Sequence, residues 1–279
     1  TSWEVGLDLR MFQNRLTIDA AYYDGKSKNL IANMPITYST GESSVYTNAG
    51  TIRNWGVELA AQGVLLRTHD VQWKLGVNWS MNRNKVLSLG EGIDQWIVAR
   101  YSSHALMTAY KGSSLTSMYG KGYKRAPEGS YAVAEDGSMR DVSGMIVLDK
   151  QGKPLTDEEL TYIGDCSPKW RGGFNTSVSW KGLKFSISFD GQFGGHVFSY
   201  TNWVLNYRGK GKGTLAGREG GMVPNGVVLL ADGNYKINDY AIPRNEISEY
   251  YHSAYSNTNA EANFVSTQFL KLREVRLEY

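Results

Sequence analysis

The carboxylates Asp157, Glu158 and Glu159 stand side by side in this chain. A carboxylate pair can hydrolyse a glycosidic bond, one group as acid and the other as base or nucleophile, provided the two face each other across a cleft at a set separation. Adjacent positions do not supply that geometry, so the run reads as a solvated turn or a helix start. The four histidines, His69, His104, His196 and His252, are scattered, with no H-E-x-x-H spacing and no triad-like context. Cys166 is the only cysteine, which excludes an intramolecular disulfide framework and a Cys-rich zinc site and leaves a free thiol without a resolving partner. Gly209-Lys210-Gly211-Lys212-Gly213-Thr214 is superficially like a phosphate loop, but it misses the G-x-x-x-x-G-K-[ST] spacing and follows no buried parallel strand; it reads as a flexible loop. The residues point to no enzyme, no cofactor and no metal.

Binding chemistry fits better. Aromatic faces stack on sugar rings or peptide side chains, and polar neighbours fix orientation. The loop aromatics Trp96, Tyr101, Tyr119, Tyr123, Trp203 and Tyr207 are the candidate ligand contacts.

The elements that must position them follow from period. Trp3, Val5, Leu7, Leu9 and Met11 alternate with polar residues or glycine, and Leu16, Ile18, Ala20 and Tyr22 resume after a short Gln13-Asn14 step. Successive side chains of a strand point to opposite faces, so alternation argues strand, and the short step argues hairpin. The unit recurs at Trp55–Ala61 and Val71–Met81 across a turn at 67–70, and at Phe174–Trp180 and Leu183–Phe189 across Lys181-Gly182. In the last strand Leu270 and Leu272 are out of phase with Val275, Leu277 and Tyr279, as a β-bulge would make them. Seven or eight long strands result. Between hairpins lie long polar stretches, 25–50, 85–110, 125–168 and 194–263, which read as irregular loops.

The 279 residues are 41% apolar, 12% aromatic and 20% charged, with a mean hydropathy of −0.40. Such aromatic content excludes disorder. The longest apolar runs, such as Val227-Val228-Leu229-Leu230-Ala231, fall far short of the ~18 residues of a membrane helix. A net charge of +3 gives no strong nucleic-acid field. A hydrophilic average with many aromatics suits a soluble all-β domain, and it equally suits a membrane β-barrel, whose lipid and lumen faces cancel. Short turns alternating with long loops, and strands of barrel-crossing length, favour the barrel. No signal peptide is visible, and both ends look cut, as in a fragment of a longer protein.

Four segments carry a family resemblance. Tyr162-Ile163-Gly164-Asp165-Cys166-Ser167-Pro168-Lys169-Trp170-Arg171-Gly172-Gly173-Phe174 resembles the "IGNPxPKWxGGF" entry to a barrel hairpin, and Phe189-Asp190-Gly191-Gln192-Phe193-Gly194-Gly195 its "FxGxxGG" strand end. Asn48-Ala49-Gly50-Thr51-Ile52-Arg53-Asn54-Trp55-Gly56-Val57-Glu58-Leu59 is similar to "NxGxIxNxGxEL", and Phe269-Leu270-Lys271-Leu272-Arg273-Glu274-Val275-Arg276-Leu277 to "FxKLRxVxLxY". In order and spacing these resemble the SusC/RagA family of TonB-dependent outer-membrane transporters of Bacteroidetes.

The resemblance implies an all-β fold, part of a large antiparallel transmembrane barrel of about 22 strands. Residues 1–279 would be a partial barrel domain without the plug or the final strands. It further implies import of oligosaccharides or peptides across the outer membrane, contact with outer-membrane lipid, and a SusD-like surface lipoprotein partner. Loops 25–50 and 194–263 would supply that interface. TonB–ExbB–ExbD would act through the plug and TonB box. Family members often carry an acidic, calcium-like loop before the "IGNP" motif. Here Lys150, Lys153 and Pro154 intrude in 149–157, and the stretch reads as a polar turn. The competing readings are a soluble or surface-attached β-rich glycan-binding module and a β-rich hydrolase.

Overall fold

The computed structural model describes residues 1–35, 41–42, 44–133 and 137–279. The chain begins with β1 (Ser2–Met11), β2 (Leu16–Pro35), β3 (Ser44–Arg67) and β4 (Val71–Leu89). It then makes an excursion through β5 (Gln95–Ser102), β6 (Ala105–Tyr110), β7 (Ser117–Gly120), β8 (Tyr131–Val133), β9 (Met139–Asp141), β10 (Val147–Leu148) and β11 (Thr161–Asp165). It returns as β12 (Trp170–Trp180) and β13 (Leu183–Phe193). A second excursion holds β14 (His196–Phe198), α1 (Tyr200–Tyr207), β15 (Val227–Leu229), β16 (Tyr235–Ile237), α2 (Ile247–Ala254) and β17 (Phe264–Ser266), before β18 (Phe269–Glu278). Seven long strands form one antiparallel sheet in the order β1-β2-β3-β4-β12-β13-β18.

Cross-strand partners share a face, so the register can be read row by row. One row runs Leu9, Ile18, Ala61, Val77, Phe174, Phe189, Leu272. The next runs Leu7, Ala20, Leu59, Trp79, Gly172, Gly191, Leu270. The opposite face carries Asp8, Asp19, Ala60, Asn78, Gly173, Asp190 and Lys271 in a third row. The apolar face is uncovered by protein: Val5 is 63% exposed and Leu277 67%. The fully buried apolar residues lie in the excursions or in the upper parts of β2, β3 and β4, among them Met118, Val147, Val227 and Val86. The wall has no protein core of its own.

The bulge in the last strand is present. Phe189 pairs with Leu272 and Ser188 with Glu274, which leaves Arg273 as the extra residue. Its guanidinium turns to the polar face and donates to Asp190, with Nη2 2.9 Å from Oδ2. Leu270, Leu272, Val275 and Leu277 thereby all stay on the apolar face. Lys181 (φ +46°) and Gly182 (φ +88°) form the two-residue turn, whose left-handed backbone matches the strand twist. The first turn is wider than the expected two residues: Phe12, Gln13 and Asn14 all take positive φ, and Arg15 N donates to Phe12 O at 3.2 Å.

Two expected loops are largely ordered strand. Residues 25–35 and 44–50 continue β2 and β3 as a paired ribbon, with register shifts beside Asn29 (φ +53°). Stretch 85–110 contains the end of β4, then β5 and β6. The shifts break the period-two signal, and here it is the inner face that is covered: Ile52, Val86 and Ala109 pack with Leu30, Leu89, Trp96 and Leu115. Stretches 125–168 and 194–263 hold short strands and two helices around small apolar clusters. Within the expected loops, residues 36–40, 43 and 134–136 lie outside the described residues.

Val77 sits mid-band between Ala61 and Phe174, and Asn78 on the opposite face between Ala60 and Gly173. If the apolar face meets lipid, as the resemblance implies, Val77→Arg in the full-length protein should lower folding stability in lipid vesicles by about 2–4 kcal/mol. Asn78→Ser should be nearly neutral. Equal losses at both positions, read by urea-dependent tryptophan fluorescence, would contradict the assignment of faces.

Candidate functional site

All three short turns, at 12–15, 68–70 and 181–182, lie at one end of the sheet, and both excursions rise from the other. The first excursion folds a small sheet in the order β11-β7-β6-β5. One of its faces is apolar: Ala105 and Met118 are buried against Phe198 and Ala260, and Tyr101 stacks on Phe198 with ring centres 6.2 Å apart. The other face carries three tyrosines in edge-to-face contact, Tyr110 to Tyr119 at 5.1 Å and Tyr119 to Tyr162 at 5.7 Å. Tyr110 Oη donates to Gln95 Oε1 at 3.1 Å, and Tyr162 is exposed. Desolvation by neighbouring atoms, joined at Tyr162 by the charge of Asp165, pushes the Tyr119 and Tyr162 phenols up from their ordinary value, so both remain neutral donors. This ladder offers flat apolar rings beside hydroxyls, the chemistry that binds a sugar ring or a peptide side chain.

The remaining predicted contacts lie elsewhere. Trp96 packs beside Ala32 and Ile93 and against Ile52, Val86 and Ala109, which ties β5 to the β2–β4 extension. Tyr123 is enclosed by the second excursion: its Oη donates to Ala254 O at 3.2 Å and its backbone N to Glu261 Oε2 at 3.0 Å. Desolvation drives its phenol well above the ordinary range. Trp203 and Tyr207 share α1, whose first turn is capped by Ser199 Oγ accepting from Asn202 N at 3.1 Å. Trp203 meets Tyr200 edge-on at 4.8 Å, and Tyr207 stacks on His252 of α2 at 4.6 Å. The six residues thus fall into several neighbourhoods, and only Trp203 and Tyr207 come together.

Beside Tyr207 opens a recess of about 440 Å³ lined by Arg208, Arg218, Arg244, Ser248 and Tyr251, with no carboxylate among its lining residues. Arg218 is fixed there, its Nε donating to Thr214 O at 2.6 Å and its Nη2 to Thr214 Oγ1 at 2.6 Å. The run 209–214, expected as a flexible loop, therefore closes as a short 3-10 turn around fully buried Thr214. Three guanidinium groups suit an anionic substituent such as a carboxylate or sulfate. Tyr110, Tyr162 and these arginines escaped the sequence reading. Alternation of Leu106, Thr108 and Tyr110 could have signalled the first, whereas nothing local joins Arg208, Arg218 and Arg244, which only the fold collects.

The family described as TonB dependent receptor-like, beta-barrel matches residues 1–269. The chain belongs to this family. TonB-dependent receptor P3 of Formosa agariphila is 28% identical over 208 residues, covering 71% of this chain and 20% of that protein. TonB-dependent receptor SusC of Bacteroides thetaiotaomicron is 25% identical over 211 residues, covering 71% and 20%. The structure of the RagAB peptide importer in its closed-closed state has the same fold at 18% identity, with a TM-score of 0.63, over 99% of this chain and 28% of that one. The chain therefore spans only about a fifth to a quarter of the relatives it matches. It is SusC/RagA-like, as the motifs imply, and the reading as a soluble all-β domain is set aside.

In this receptor barrel, the Tyr162–Phe174 motif is the hinge between excursion and wall. Asp165 Oδ1 accepts from Ser167 N at 2.9 Å and from Thr116 Oγ1, and Cys166 N donates to Thr116 O at 2.9 Å. Lys169 N then donates to Phe193 O at 2.8 Å, which starts the β12–β13 pairing. The stretch compared with a calcium loop is a turn: Asp149 Oδ1 accepts from Gln151 N and Lys153 N, both at 2.8 Å, and Lys153 Nζ reaches Glu249 at 2.7 Å. Burial, and then the charge of Asp165, push the Cys166 thiol up. Since the thiolate is the nucleophile, iodoacetamide at pH 8 should alkylate native Cys166 at least tenfold more slowly than the urea-unfolded protein. Equal rates, measured by mass spectrometry, would show that the hinge is open.

Proposed function

We propose that this chain forms part of the wall and extracellular mouth of an outer-membrane importer of large nutrients, oligosaccharides or peptides. One observation carries the reading: a single uncovered apolar band crosses all seven wall strands while both excursions rise from one end of the sheet. Lipid is the solvent that such a band requires, since monomeric soluble proteins rarely leave so large an apolar area open. An outer-membrane location follows from the family. On this reading the short turns face the periplasm and the excursions face outward.

The sheet ends on β1 and β18, and strand edges cannot stay unpaired in lipid. On this reading further strands continue the wall, and residues 1–279 form a partial barrel domain. The plug and energy coupling through TonB–ExbB–ExbD belong to parts of the transporter outside this segment. A SusD-like lipoprotein caps the mouth, and the tip of the β2–β3 ribbon, with Ile31 and Tyr46 exposed on one face, is a suitable anchor for it. Of the six aromatics proposed as ligand contacts, Tyr119 in the tyrosine ladder and Tyr207 at the basic recess are the best placed. Trp203 packs beside Tyr207, whereas Trp96, Tyr101 and Tyr123 serve the packing of the excursions.

Heat-modifiable gel migration of the full-length protein from outer-membrane fractions tests the barrel; a detergent-free soluble monomer would overturn it. Tyr119→Ala with Tyr162→Ala should weaken binding of the transported oligosaccharide or peptide about three- to tenfold without changing heat-modifiability. Ile31→Asp with Tyr46→Asp should abolish co-purification of the lipoprotein while the barrel still folds. Retained co-purification would move that interface to the second excursion.

A further inference from the structure

The apolar band is not smooth. On β12 and β13 Gly172 pairs with Gly191, and above and below them stand two stacked ring pairs, Trp170 with Phe193 at 5.7 Å and Phe174 with Phe189 at 5.4 Å. With Trp79 and Leu270 at its sides, the glycine pair floors a recess of about 590 Å³. It lies in the half of the band nearer the excursions, and so in the outer leaflet. A groove of this size in a lipid-facing wall must be filled by an acyl chain, because water there has no polar partners.

A second observation stands just above it. The register places Lys26, Arg53 and Lys85 directly abreast on β2, β3 and β4. Their parity puts them on the lipid-side face, one pleat beyond the row of Asp24, Trp55 and Arg83. Like charges abreast in a sheet repel. Arg53 is satisfied by Asp24, with its Nε 2.9 Å from Oδ2, and lies over the Trp55 ring at 4.8 Å. Arg83 reaches across to Pro168 O at 3.4 Å, beside Lys169, whose ammonium stands 5.8 Å over the Phe193 ring at the lip of the groove. Among the described residues no carboxylate pairs with Lys26, Lys85 or Lys169. Five cations thus stand at headgroup height above and beside an acyl-sized groove, where Asp24 is taken up by Arg53 and Asp165 shares a small recess with Arg83 and Lys169.

We propose that this face is a specific site for an anionic, phosphate-bearing lipid of the outer leaflet. One acyl chain lies on the Gly172–Gly191 floor, and the phosphate bridges Lys169, Arg83 and Lys85. The site rests on the chain's place in a receptor barrel, and is independent of what is transported. It gives the cation row its counter-charge and fixes the wall where the hinge motif meets the membrane.

The test uses delipidated full-length transporter in detergent, titrated with phosphatidylglycerol or phosphatidylcholine and read by native mass spectrometry. Phosphatidylglycerol should bind at least tenfold more tightly than phosphatidylcholine. The combined Lys26→Gln, Lys85→Gln and Lys169→Gln variant should lose that preference. Leu270→Trp fills the groove from a position 78% exposed, at little risk to folding, and should weaken both lipids severalfold. Equal affinity for the two lipids in the unaltered protein, or a preference that survives the triple substitution, would overturn the site. Heat-modifiable migration of each variant separates loss of lipid binding from loss of the barrel.

Discussion

In a hydrocarbon medium a backbone N–H or C=O has no water to bond, and the rest of this structure follows from that constraint. It demands a continuous hydrogen-bonded ladder from β1 to β18, and the ladder in turn locks the parity of every wall residue. A one-residue slip anywhere would place a whole strand's charges in lipid. The bulge at Arg273 illustrates the discipline: one extra residue is accommodated by turning its side chain to Asp190 on the polar face, and the four apolar residues around it keep their side.

Above the membrane the logic inverts. There water can satisfy the backbone, so the chain is free to form short strands, bends and two short helices, and cohesion comes from ordinary apolar clusters around Val147, Met118 and Ile247. The inner face of the β2–β4 extension, no longer lining a wet lumen, is covered by Trp96 and Leu115. Polar chemistry is left on the surfaces of this layer: a tyrosine ladder on one sheet face, and a recess with three guanidinium groups between the helical segments. In the proposed function these are the specificity features, and the wall is the scaffold that carries them.

Legibility in the sequence tracked the same division. Wall strands such as Val71–Met81 were plain because two solvents impose strict alternation on each residue. Residues 27–35 and 44–50 are also strand, although their spacing reads as loop, because register shifts beside Asn29 and a change of solvent remove the period. Of the aromatics read as ligand contacts, Trp203 and Tyr207 do meet, being four residues apart on one helix. Tyr101 and Tyr119 are close in sequence but lie on opposite faces of their small sheet.

By itself, the amino-acid sequence determined the fold class, the faces of the wall strands, the turn at Lys181-Gly182, the bulge in the last strand and the family resemblance. Each is written in local spacing, and lipid on one side and water on the other enforce that spacing residue by residue. Only the tertiary structure decided which distant side chains share a place. Tyr110 with Tyr162, Arg208 with Arg244, and Lys26 with Lys85 and Lys169 are joined by strand register and by the packing of excursions, and those depend on contacts no sequence neighbour records.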